Sequence, residues 1–154
     1  MRLDAEPLLG RGGVSPEPSP EHPLLGRCNC GAVRFEVRAP FTSAIYCNCH
    51  RCQRRTGAAR SASARVGIDD FEVLTGRDLI RSWVPPDGMA KAYCGECGSH
   101  LFAGSLDGDF VAVRLGAIDG DPGIRPEAHI WASSAAAWDP IPDDGLPRYE
   151  EGRP

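Results

Sequence analysis

The sequence predicts a mainly β protein, on three observations. It holds 18 Gly and 14 Pro in 154 residues, a density of turn formers that favours many short elements over a few long helices. Its apolar residues fall in short runs alternating with polar ones, as on strands with one buried face. Hydrophobic residues at 42% and charged residues at 25% are ordinary for a globular chain, and this length suits a single core.

Taken in order, residues 1–23 carry Pro7, Pro16, Pro18, Pro20 and Pro23 among small and charged residues without apolar periodicity. They read as a disordered extension ahead of one domain over 24–154. Ala32 to Val37 alternates as a half-buried strand, and Ala44 to Tyr46 leads as a second into a cysteine-rich segment. Arg60 to Val66 alternates again before Gly67. Phe71 to Leu74 and Leu79 to Val84 flank Thr75-Gly76-Arg77-Asp78, the pattern of a β-hairpin or meander. Pro85 to Gly88 has turn composition, and Met89 to Tyr93 runs as a strand into Cys94. His100 to Ala103 leaves that knuckle as another strand, and Phe110 to Ile118 has the continuous apolar character of a buried one. Ser133 to Trp138 is the only helical candidate in the second half, stopped by Asp139-Pro140.

No apolar run approaches the ~18 residues that cross a bilayer, and the N-terminus lacks a signal-peptide core. A soluble, cytoplasmic protein is therefore expected, with no membrane partner. The net charge of -4 argues against nonspecific nucleic-acid binding. In a reducing compartment thiols stay free or bind metal, and the seven cysteines cannot all pair internally.

Those seven divide into two sets. Cys47, Cys49 and Cys52 lie within one six-residue segment, and three thiolates from so short a stretch fill three positions of a tetrahedral zinc. The fourth is left for water or substrate, unless His50, His100 or His129 closes it. Cys28 and Cys30 form one pair, which the period of a strand would place on one face; Cys94 and Cys97 form another in a Cys-x-x-Cys knuckle. Together the pairs supply a closed four-sulfur set, structural in character. Between Glu36 and Asp69 there is no carboxylate, while Arg38, Arg51, Arg54, Arg55, Arg60 and Arg65 fall there. These arginines either offset the negative three-thiolate zinc and attract an anion or lie on solvated strand faces.

Three blocks in order, Gly26-Arg27-Cys28-Asn29-Cys30-Gly31-Ala32-Val33, Cys47 to Gly57, and Tyr93-Cys94-Gly95-Glu96-Cys97-Gly98-Ser99, resemble the glutathione-dependent formaldehyde-activating enzyme family. The ending, with Pro126 to Trp131, Trp138 and Asp144 to Glu150, is similar to that family's C-terminal signature. The resemblance spans roughly 24–151. It implies a β-tent fold of two packed antiparallel sheets, a structural zinc at Cys28, Cys30, Cys94 and Cys97, and a catalytic zinc at Cys47, Cys49 and Cys52 whose open position takes the glutathione thiol. The implied reaction condenses glutathione with formaldehyde to S-hydroxymethylglutathione, a carbon–sulfur lyase activity. The family also includes a centromere-associated branch, and this chain departs from its commonest pattern at His50 and in the proline-rich extension.

For such a reaction His129 is the first candidate proton donor and His100 the second; the other reading of His129 is a buried structural residue packed near Trp131. Glutathione carries two carboxylates, so Arg51, Arg54 and Arg55 are the candidate anchors. The competing expectations are a zinc-stabilised binding module without catalysis and an enzyme acting on a different thiol adduct or small electrophile.

Overall fold

The computed structural model describes residues 17–153, so most of the extension expected over 1–23 lies outside the described residues. Ten strands form two sheets. The smaller has the order β1 (Leu24–Arg27), β2 (Arg34–Val37), β5 (Phe71–Thr75), all antiparallel. The larger runs β10 (His129–Ile130), β3 (Ser43–Cys47), β4 (Ser61–Gly67), β9 (Phe110–Arg114), β8 (His100–Gly104), β7 (Lys91–Cys94), β6 (Ile80–Trp83). It is antiparallel except where β10 joins β3 in parallel. No helix among the described residues is long and apolar enough to cross a membrane.

The sheets pack face to face because strand period splits their residues. On β4, Ala64 and Val66 point into the core with Val111 and Val113 of β9 and Phe102 of β8. From the small sheet come Phe35, Val37 and Phe71, which join the same buried cluster as Ala44, Ala64 and Ala92 of the large one. Phe71 lies 5.2 Å from Phe35 and meets Phe102 edge-on at 5.2 Å, a geometry worth about 1 kcal/mol per aromatic pair beyond area burial.

The opposite face of the large sheet is polar. Register aligns Cys47 with Ser61, and Ser63 with Arg114, so these side chains share that face. A bulge extends it. Lys91 pairs with Ala103, Ala92 with Phe102, but Tyr93 with His100. Leu101 is the extra residue, and both Leu101 and Phe102 turn into the core, which re-aims His100 to the face of Lys91 and Tyr93.

Several expectations are corrected. Phe71 to Val84 is no hairpin: β5 pairs with β2 and β6 with β7, in different sheets. The link turns at Gly76, in the left-handed region at φ 70°, where a Cβ would lie 2.4 Å from the Ala32 carbonyl oxygen. Both segments alternate, so their pattern cannot say which neighbour each pairs with. The Phe110 to Ile118 run ends as strand at Arg114 and continues as a 3-10 turn over Leu115–Ala117. Helix at Ser133 to Trp138 shrinks to a 3-10 turn over Ala132–Ser134. Cys28-Asn29-Cys30 lies in a turn after β1, not on a strand. The one α-helix among the described residues, α1 (His50–Thr56), falls where the sequence suggested none.

Candidate metal centres and the adjoining cavity

Cys47 ends β3 and Cys52 lies in the first turn of α1, with Cys49 between them as the helix N-cap. Cys49 has extended backbone, and its Sγ accepts the Cys52 N–H at 3.4 Å. Gly57 closes the helix at φ 67° while its N–H donates to the Gln53 carbonyl, as left-handed C-caps require. The junction is pinned from both sides. Fully buried Asn48 donates from its backbone N–H and its Nδ2 to the Ile130 carbonyl, both at 3.0 Å. Gln53 Nε2 donates to the carbonyls of Asn48 at 2.6 Å and Ser134 at 2.7 Å. These two amides position the thiol segment, and sequence reasoning missed them; their one signal is a polar side chain lodged between cysteines.

The Sγ atoms of Cys47, Cys49 and Cys52 lie within 4.8 Å of one another, and no His, Asp or Glu among the described residues joins that group. The Cys52 thiol is held down to about 2 by hydrogen bonds from Cys47 and Cys49, then by the Ser61 hydroxyl and the Arg114 charge, against the opposing effect of burial. The Cys47 thiol is pushed far up by its hydrogen bonds to Cys49 and Cys52, by burial and by the Cys52 charge.

The second group gathers Cys28, Cys30, Cys94 and Cys97, likewise within 4.8 Å. Cys28 and Cys30 Sγ are 3.4 Å apart, Cys30 and Cys94 3.9 Å, close to the ~3.8 Å edge of a tetrahedron built on ~2.3 Å zinc–sulfur bonds. The Gly31 N–H donates to the Cys28 carbonyl and the Gly98 N–H to the Cys94 carbonyl, so each pair sits on its own tight turn. A sulfur-only donor set suits a borderline-soft ion such as zinc and not a hard cation, so both groups could hold a metal.

Ser61, the strand partner of Cys47, lies in the wall of a cavity of about 420 Å³, lined also by Arg55, Arg60, His100 and Arg114 among others. This cavity shares Ser99, His100, Gly116 and Ala117 with a second cavity of about 550 Å³ that reaches Cys28 and Arg27. Arg114 is 9% exposed, and its Nη1 donates to Ser61 Oγ at 3.1 Å. Arg55 lies over the Tyr93 ring, 6.0 Å from its centroid. Burial lowers the pKa of Lys91, and Arg114 lowers it further, while Cys52, Cys47 and Cys49 oppose both. Burial also lowers that of His100, with help from Arg55 and Arg114.

The remaining candidates lie elsewhere. Arg51 is engaged by the Asp87 carboxylate and carbonyl, Arg54 is exposed, and neither lines the cavity. His50 is exposed at the start of α1. His129 is fully buried, stacked on Tyr46 at 5.0 Å with Nε2 2.9 Å from Asp144 Oδ2. It pairs with Tyr46, one residue before Cys47, and strand alternation therefore puts its ring on the other face from the Cys47 thiol.

The family model described as glutathione-dependent formaldehyde-activating enzyme matches residues 23–134. The chain belongs to the glutathione-dependent formaldehyde-activating enzyme family. That match takes in both thiol groups and every residue named above as lining the first cavity. Among solved structures, the chain is similar to the crystal structure of a Rhodobacter sphaeroides protein, at 24% identity and a TM-score of 0.52, over 63% of this chain and 89% of the other. That likeness bears on the fold.

Proposed function

We propose that this family member is a zinc-dependent carbon–sulfur lyase that joins glutathione to formaldehyde, giving S-hydroxymethylglutathione. The observation that carries the reading is the three-thiol group with no fourth His, Cys, Asp or Glu donor among the described residues, and a cationic cavity whose wall includes Ser61, the strand partner of Cys47. Cys47, Cys49 and Cys52 would hold the catalytic ion and Cys28, Cys30, Cys94 and Cys97 a structural one. A divalent ion held by these three thiols would supply a lowered pKa to a co-substrate thiol bound to it, making that sulfur nucleophilic near neutral pH.

The chain's own residues do the rest. Arg55, Lys91 and Arg114 form no ion pair with a carboxylate among the described residues, and their charge would draw in an anionic thiol and hold it beside the carbonyl. The proton donor is assigned to His100 rather than His129, because His100 lines the cavity. Burial, with the Arg55 and Arg114 charges, disfavours its protonated form, and from its place on the cavity wall it would first take the proton leaving the thiol. As the carbon–sulfur bond forms and the carbonyl π bond breaks, that proton returns to the new alkoxide oxygen. Proton balance is closed, and the reverse path cleaves the bond. The glutathione-anchoring role narrows from Arg51, Arg54 and Arg55 to Arg55. Seven free thiols support a reducing, cytoplasmic setting.

The test is exchange spectroscopy on an equilibrium mixture of labelled formaldehyde and glutathione with no protein, wild type and Cys49→Ser. Faster exchange with wild type, lost in the variant, is expected. Exchange at the background rate in protein shown to carry zinc would remove this substrate pair and favour another thiol adduct or a binding module.

A further inference from the structure

Each sheet has two edges, and the chain covers one edge of each with its own backbone. On the large sheet residues 147–151 run along β10, with the His129 N–H on the Pro147 carbonyl and the Tyr149 N–H on the His129 carbonyl. On the small sheet Gly26 of β1 bridges to Ile118, and the Asp119 N–H donates to the Leu25 carbonyl. The edges at β6 and β5 carry no such cover among the described residues.

Along β6 the free groups can be assigned one by one. The Gly95 N–H donates to the Leu79 carbonyl at 2.8 Å, and the register pairs Arg81 with Tyr93 and Trp83 with Lys91. By antiparallel alternation the backbone groups of Arg81 and Trp83 point to β7, and those of Ile80, Ser82 and Val84 point outward. The Ile80 N–H is spent on the Arg77 carbonyl, but the N–H and carbonyl of Ser82 and the N–H of Val84 meet no partner among the described residues. Their surroundings are apolar. Trp83 is 43% exposed and Val84 67%, and Met89 is exposed just past the Pro85–Gly88 turn. Neither proline nor bulge, the usual guards of a free edge, interrupts Ile80 to Val84.

We infer that β6 is the seam of a homodimer, in which two copies join their large sheets antiparallel about a two-fold axis at Ser82. In that register Ser82 exchanges both main-chain bonds with its own counterpart. The Val84 N–H of each copy meets the Ile80 carbonyl of the other, which otherwise takes only the Arg81 side chain at 3.3 Å. Arg81 falls opposite Trp83 on both sides of the axis, in the pairing that brings side chains closest, so each guanidinium meets an indole of the other copy. The strand is complementary to itself, and this selects a second copy over an unrelated peptide. The β5 edge is not: the same pairing about Val73 would set Glu72 against Leu74. The turn after β6 carries Asp87, which engages Arg51 of α1, so the seam borders the turn that braces the thiol-bearing helix. The inference is independent of the proposed thiol chemistry.

Light scattering and sedimentation equilibrium on the full, zinc-loaded chain over a concentration series should show a monomer–dimer equilibrium. Ser82→Pro removes only an outward N–H, a change that an edge strand tolerates. It should melt with wild type yet stay monomeric at concentrations where wild type is dimeric. Trp83→Ala should weaken dimerisation by about tenfold, the effect of two lost cation–π contacts, while Leu74→Ala on β5 should leave it unchanged. Hydrogen exchange on wild type needs no variant: the Ser82 and Val84 amides should be protected in the dimer and lose that protection on dilution. A chain that is monomeric throughout the series overturns the inference and leaves the edge to an extended peptide of another protein. A dimer that Trp83→Ala and a folded Ser82→Pro leave intact, or in which those amides stay unprotected, overturns it too, because that dimer uses another surface.

Discussion

Cys49 Sγ accepts the backbone N–H of Cys52 at 3.4 Å, so one candidate metal ligand is also the N-cap of α1. Serine is a strong N-cap and a poor zinc ligand, whereas alanine is neither. Cys49→Ser should lose one equivalent of metal and keep α1, while Cys49→Ala loses the same metal and a further ~1 kcal/mol of stability. Metal analysis with urea unfolding checks this; equal stability of the two variants would show that the cap contributes nothing.

The two thiol groups should respond differently to loss of a ligand. Cys94, fully buried at the end of β7, holds together turns from both sheets. Cys94→Ser should therefore cost several kcal/mol or leave the chain unfolded. Cys47→Ser should remove a metal equivalent with the far-ultraviolet circular dichroism retained. Matching melting temperatures for the two variants would contradict the assignment of structural and catalytic ions.

Asp144 sits on the Nε2 of buried His129, and that hydrogen bond is the main cause of its lowered pKa. A carboxyl whose folded pKa lies below the unfolded value of about 3.9 stabilises the fold fully above that value. The contribution fades as pH falls through the folded pKa. Asp144→Asn should thus melt below wild type at pH 7, and the gap should close below roughly pH 4. A gap independent of pH would mean that the charge is not what matters.

At Gly76 the positive φ and the Ala32 carbonyl both oppose a side chain. Gly76→Ala should destabilise by about 2 kcal/mol or more, through strain and the displacement of Ala32. Chemical denaturation reads it directly, and a cost below about 0.5 kcal/mol would show that the link between sheets can relax.

The strands were legible where a segment alternates, as at Arg60 to Val66, because one buried face writes its period into the chain. Both thiol groups were legible from cysteine spacing alone. Partner choice was not: β5 and β6 alternate equally well whether they pair together or join different sheets. Helix α1 escaped because seven residues rich in cysteine and arginine carry no apolar stripe, although Cys49 and Gly57 stand at its caps. His100 was visible as a histidine after a knuckle, but its orientation depends on a bulge that only the register with β7 reveals.

The joining of Cys30 to Cys94, 64 residues apart in sequence, bears on how the chain reaches this state. Closing a flexible loop of that length costs about 4 kcal/mol of chain entropy, by the logarithmic dependence on loop size. An ion held early by one cysteine pair would capture the other and meet that cost before the sheets have formed. Refolding should then speed up as free zinc is raised, beyond the gain in final stability that the same ion gives, making metal supply a kinetic control on the yield of folded protein.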